Sequence, residues 1–135
     1  MNKVKKYIMI LLLMIIVIVG LSINFLFKQI DSNVIPVVLD DNMIKIMNRS
    51  YNFEDIVDVE ILEKISLSGG SGSNTPNTNN GQYKVNGDKY ESNVYIHKNV
   101  SPFIKLTTKD SVIVFNDDNS NKTKDIYNKL SNSIK

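Results

Sequence analysis

Cysteine and tryptophan are absent from these 135 residues, and histidine and arginine occur once each, as His97 and Arg49. Without cysteine there is no disulfide, no thiolate metal ligand and no thiol nucleophile. A single histidine leaves no second imidazole for a metal site or a proton relay. A basic excess is missing too. The formal charge is +2, but Lys3, Lys5, Lys6 and Lys28 flank one apolar run, and the remainder holds 12 basic against 14 acidic residues. Binding to a phosphate backbone needs clustered cations, so nucleic acid is not an expected partner. Fifteen of the 16 basic residues are lysine, and asparagine and isoleucine are abundant. All three have AT-rich codons, which reads as the coding bias of a bacterial, Gram-positive genome. The sequons at Asn48, Asn99 and Asn121 follow from the same bias.

What the chain has in excess is apolar length near its start. Residues 8–27, IMILLLMIIVIVGLSINFLF, carry no charge over 20 positions. At about 1.5 Å per residue they span about 30 Å, the thickness of a bilayer core, and in lipid only a helix satisfies their backbone. The lysines ahead of this segment place residues 1–7 in the cytoplasm as a basic tail and the remainder outside. The alternative is a secretory signal cut after Gly20, with the remainder secreted. The bulky Ile18 three positions before that cut disfavours it.

Beyond residue 30 the pattern is of short strands between turns. Ile30 to Leu39, with the β-branched run Val34, Ile35, Val37 and Val38, ends at the acidic turn Asp40-Asp41-Asn42, followed by MIKIM at 43–47. Tyr51 to Asp55 reads as a turn or a single helical turn. In IVDVEIL, 56–62, apolar and acidic residues alternate, so Val57, Val59 and Ile61 are expected to face inward. QYKV (82–85), ESNVYIH (91–97), FIKLTT (103–108) and SVIVFN (111–116) complete seven strands. The period then changes. Ile126, Leu130 and Ile134 recur every four residues beside Tyr127, which predicts one amphipathic helix capped by Asp118, Asn119 or Ser120. The expected fold class is mainly β with one C-terminal helix, a meander curling into a barrel or sandwich that the helix caps.

The run SLSGGSGSNTPNTNNG between the third and fourth of these strands is rich in Ser, Gly and Asn. It leads into a strand rather than a helix and lacks a Gly-Lys-Ser/Thr ending, so it does not read as a phosphate loop. As an interdomain linker it would leave two pieces too small to fold alone. A long flexible loop over 66–81 within one domain is the remaining expectation.

Several landmarks fall in order: Ile56-Val57-Asp58-Val59, Gly70 or Gly72, and Gly81-Gln82-Tyr83-Lys84-Val85. Val94-Tyr95-Ile96-His97, PFIKLTT, VIVFND and a helix with Thr123 and Tyr127 four apart follow them. In these, residues 30–134 resemble the bacterial pleckstrin-homology (PH)-like domains of Gram-positive membrane proteins. The resemblance implies a PH-like fold over 30–135 and a membrane association, not an activity. Phosphoinositide-binding members carry basic residues around the first hairpin. Here that turn is acidic with Lys45 alone, so this ligand is not implied.

The candidate sites weigh as follows. His97, beside Lys98 at a strand end, reads as a surface residue. Asp117-Asp118-Asn119 starts like a calcium loop, but Lys122 and Asn128 stand where glycine and glutamate are needed, so a helix cap is the better reading. Glu54, Asp55, Asp58 and Glu60 read as a solvated face. Arg49 could hold a carboxylate or stack on Tyr51. The expectation is therefore a membrane-anchored module without catalytic activity, metal or cofactor. It binds the bilayer through residues 8–27 and a protein or peptide through a surface including Thr123, Ile126, Tyr127 and Leu130. An accessory subunit acting through its membrane helix is the alternative, and an envelope hydrolase the third reading.

Overall fold

A computed structural model describes residues 2–32 and 35–134, and the chain divides near residue 33 into two compact units. The first is one helix, α1 (Lys3–Ser32), longer at both ends than the uncharged run. No proline interrupts it, and Ser22 bonds back onto the Ile18 carbonyl at 2.8 Å. Its segment Lys3–Leu26, 24 residues, is long and apolar enough to cross a membrane.

The second unit is mostly β, with a mixed sheet and a C-terminal helix. β1 (Val37–Leu39), β2 (Met43–Ile46) and β3 (Arg49–Asn52) form an antiparallel three-stranded sheet in that order. The first strand, expected over Ile30–Leu39, is shorter: Ile30–Ser32 belong to α1, and Val34 lies outside the described residues. The acidic turn joins β1 to β2, with Asp40 N–H donating to the Met43 carbonyl at 2.9 Å. A single 3-10 turn (Phe53–Asp55) leads into β4 (Ile56–Leu62). β5 (Leu67–Asn74), β6 (Thr78–Val85), β7 (Ser92–His97), β8 (Phe103–Thr108) and β9 (Val112–Phe115) follow, then α2 (Ser120–Ser133). The larger sheet has the order β4-β8-β9-β7-β6-β5, antiparallel throughout except that β7 and β9 run parallel.

The short connection from β4 to β5 shapes this sheet. Those strands are its two edges, and in a flat six-stranded sheet they would lie about 24 Å apart. The Glu63–Ser66 connection reaches at most about 17 Å. The sheet therefore curls, drawing its edges together at the Leu62 and Leu67 ends. Ile65 packs with Leu62, Leu67 and Tyr83 against Val85, Val94, Ile96, Phe103 and Val114 on one face. The main core lies on the other face. There Ile104, Leu106, Ile113 and Phe115 meet Ile44 and Ile46 of the small sheet and Leu130 of α2.

Three expectations change. The described residues hold nine strands rather than seven. Residues 49–52, partly read as a turn, are β3, and the run 66–81, expected to be a flexible loop, forms the paired hairpin β5–β6. The sheet is also not a simple meander, because β9 inserts between β8 and β7. Finally, a bulge in β4 between Ile56 and Asp58 shifts its facing. Val57 is 63% exposed, while Ile56 and Val59 are each 8% exposed. One extra residue in a strand turns the side chains on one side of it to the opposite face.

Candidate functional site

The terminal helix starts where the sequence places it. Asn119 is its N-cap, its Oδ1 accepting from the N–H groups of Asn121 (2.9 Å) and Lys122 (3.2 Å). Thr123, one turn in, accepts from Asp117 N–H at 2.9 Å and donates to the Asn119 carbonyl at 3.3 Å. Thr123 and Leu130 are fully buried, whereas Ile126, Tyr127 and Ile134 are half-buried against the main core. The four residues expected to form an interaction surface thus share one helix face, but that face is closed against the domain. Thr123 and Leu130 are not accessible to a partner, which leaves Ile126 and Tyr127 at the rim.

Before the helix, Asn116 is fully buried at the end of β9. Its Oδ1 accepts from His97 N–H at 2.7 Å, and its Nδ2 donates to the carbonyls of His97 (3.0 Å) and Val100 (2.6 Å). His97 therefore contributes its main chain to a knot joining β7, the turn after it and β9. Asp117 Oδ1 accepts from Asn119 N–H at 3.0 Å in an Asx turn ahead of the helix. Burial, with a hydrogen bond and repulsion from Asp118 adding to it, raises the Asp117 carboxyl above its ordinary value. Among the described residues no group of three or more His, Cys, Asp or Glu is placed to hold a metal ion.

The acidic residues do not converge. Asp55 pairs with Lys109 at 3.0 Å, and Glu54, Asp58 and Glu60 are exposed. Lys105 pairs instead with Asp88 at 3.2 Å. Arg49 lies beside Tyr51, and burial, with Tyr95 adding to it and Arg49 opposing it, raises the Tyr51 phenol above its ordinary value. An open, shallow depression of about 460 Å³ lies among Glu63, Lys64, Ile65, Asn99, Ser101 and Phe103.

One surface was not anticipated. β5, LSGGSGSN, is an edge strand of eight residues, every one from Ser68 to Asn74 exposed. Its far end is fastened by Lys98, whose ammonium donates to Asn74 Oδ1 and, at 2.6 Å, to the Thr75 carbonyl. The turn Thr75-Pro76-Asn77-Thr78 closes with Thr75 N–H on the Thr78 carbonyl at 2.9 Å. From that bond the antiparallel alternation runs back along the strand. It directs Ser71 and Ser73 toward β6 and the N–H and C=O of Gly72 and Asn74 away from it. A proline-asparagine pair between two runs of equal length was the available signal for this hairpin. No protein-family model matches the chain, and no curated protein or solved structure matches it.

Proposed function

We propose that the chain is a single-pass membrane protein whose β domain is a non-catalytic, PH-like module for binding a protein or peptide. In this reading residues 1–7 are cytoplasmic, α1 spans the bilayer, and the β domain lies outside. Lysines ahead of the span and its uncharged length support the topology. The observation that carries the binding role is the β5 edge, which offers outward main-chain donors and acceptors over an exposed stretch without charge. Strand addition to such an edge is a general mode of peptide and protein recognition. The sequence landmarks and the helix packed on the sheet support the PH-like reading, while the parallel pair and the two further strands depart from it.

A second reading has one observation of its own. Ile10, Leu13, Met14, Val17 and Ile18 line a furrow along one face of α1, the spacing by which a membrane helix meets another. An accessory subunit acting through its helix would use that face.

The two readings separate in pull-downs from detergent-solubilised native membranes. The bait is tagged full-length protein or a version with residues 3–26 exchanged for an unrelated apolar helix. Capture that survives the exchange is expected for a binding domain. Capture lost with the native helix would overturn that reading in favour of the second.

A further inference from the structure

We infer that β5 is the contact through which two copies of this chain join, edge to edge and antiparallel, about a two-fold axis at Ser73. The inference rests on the binding-module reading above and names the partner.

The four sheet edges differ in how they are protected. β1 has three residues and ends at Asp40-Asp41; β3 has four and begins with Arg49; β4 carries Asp58 and Glu60. Shortness and charge are the usual devices that stop edges from pairing. β5 has neither. It is eight residues long, with no charge and no proline. Its one irregularity, the bulge at Gly69 and Gly70, lies toward Leu67 and leaves Ser71–Asn74 regularly paired with β6.

The side chains on this stretch argue for a copy of itself rather than a sequence-specific peptide. Strand addition takes its specificity from pockets for alternate side chains. Glycine and serine build none. Self-pairing requires that donors meet acceptors and that no like charges on the strand face each other; Ser71–Asn74 carry no charge, and the Lys98 ammonium at their end is engaged by Asn74 Oδ1 and the Thr75 carbonyl. With Ser73 opposite Ser73 of the second copy, Gly72 of each chain faces Asn74 of the other. Their outward N–H and C=O groups then close about four main-chain hydrogen bonds. The contact is isologous, so it ends at two copies and joins the two large sheets into one.

The absence of cysteine makes a direct test possible. Full-length protein carrying Ser73→Cys is reconstituted in liposomes and mildly oxidised, beside Ser71→Cys and Glu60→Cys. In the proposed register the two thiols of Ser73→Cys face each other at disulfide distance, whereas those of Ser71→Cys are offset along the strands by about 13 Å. Ser73→Cys is expected to give a thiol-sensitive dimer, with the other two largely monomeric. In the cysteine-free chain, Ser73→Lys is expected to abolish energy transfer between labelled copies while leaving the circular dichroism spectrum unchanged, because it places like charges across the axis. Equal cross-linking at residues 60, 71 and 73, or none at 73, would overturn the inference, as would transfer that persists in Ser73→Lys. The same reaction run in native membranes separates the two levels. A disulfide adduct of Ser73→Cys with a different membrane protein, and no dimer, would overturn self-pairing yet keep the binding-module reading.

Discussion

Gly72 of β5 and Gly81 of β6 stand opposite each other so closely that neither can carry a side chain. A Cβ on Gly72 would overlap the Asn80 carbonyl oxygen and lie 2.6 Å from Gly81 Cα; one on Gly81 would overlap the Ser71 carbonyl oxygen and lie 2.7 Å from Gly72 Cα. The obstacles are backbone atoms of the paired strand, which cannot rotate away. Gly81→Ala and Gly72→Ala are each expected to destabilise the β domain by about 1–3 kcal/mol. Urea unfolding of the two variants beside wild type measures this, and a cost below about 0.5 kcal/mol at Gly81 would contradict the close approach.

The β4 bulge makes an opposite pair of predictions for two neighbouring valines. Val57→Lys places its charge in solvent and is expected to change stability by no more than about 0.5 kcal/mol. Val59→Lys places it against Ile104, Leu106 and Ile113 in the main core and is expected to cost about 4 kcal/mol or to unfold the domain. Denaturation midpoints of the two variants decide whether the bulge is in place, since a regular alternation would make Val57 as sensitive as Val59.

Asn116 both accepts and donates in a buried site, so its conservative replacement should be a poor one. In Asn116→Asp a carboxylate faces the His97 and Val100 carbonyls with no proton to donate, and about 3–5 kcal/mol of stability should be lost at neutral pH. Protonation restores a donor. The folded-state pKa of the new carboxyl is then raised, so the deficit relative to wild type should shrink as pH falls. Thermal melts of variant and wild type between acidic and neutral pH provide the comparison.

Asp117 already shows this behaviour in the native chain. Its carboxyl is raised above the ordinary value of 3.8, first by burial and then by its contacts with Asp118. The folded state therefore holds this proton more tightly than the unfolded state does. Its contribution to stability is present below the unfolded pKa and is lost as pH rises through the folded pKa. Asp117→Asn removes the ionisation and can keep the acceptor for Asn119 N–H. It is expected to raise the melting temperature at neutral pH and to reduce the decline between acidic and neutral pH. A lower melting temperature at neutral pH would show that the charge stabilises the cap.

The parts of the fold that could be read from sequence are those where side chains carry the energy. An uncharged run marks α1, continuous apolar residues mark β8 and β9, and the Ile126–Leu130–Ile134 period marks α2. β5 left no such mark. It is held by main-chain hydrogen bonds and close glycine contacts, so its composition is that of a loop although it is a strand. The Val57 facing was missed for a related reason, since a bulge is a backbone event and the alternation of IVDVEIL does not encode it. At the candidate site, the apolar stripe of α2 placed Ile126, Tyr127 and Leu130 on one face. An amphipathic stripe shows where a helix is covered, however, and in this domain the cover is its own sheet.

The place of β9 in the large sheet bears on how the chain is made. Strands β4 and β8 form one ribbon and β5, β6 and β7 another, and among the described strands β9 alone hydrogen-bonds to both, lying between β8 and β7. Among the described residues, α2 is the element that follows it. The ribbons can therefore form during synthesis as the chain lengthens, but they cannot be joined through the sheet until β9, the last of its strands, has been made. Maturation of this domain waits on β9, and a chain stopped short of residue 112 would emerge as two unsealed ribbons with an added pair of bare edges.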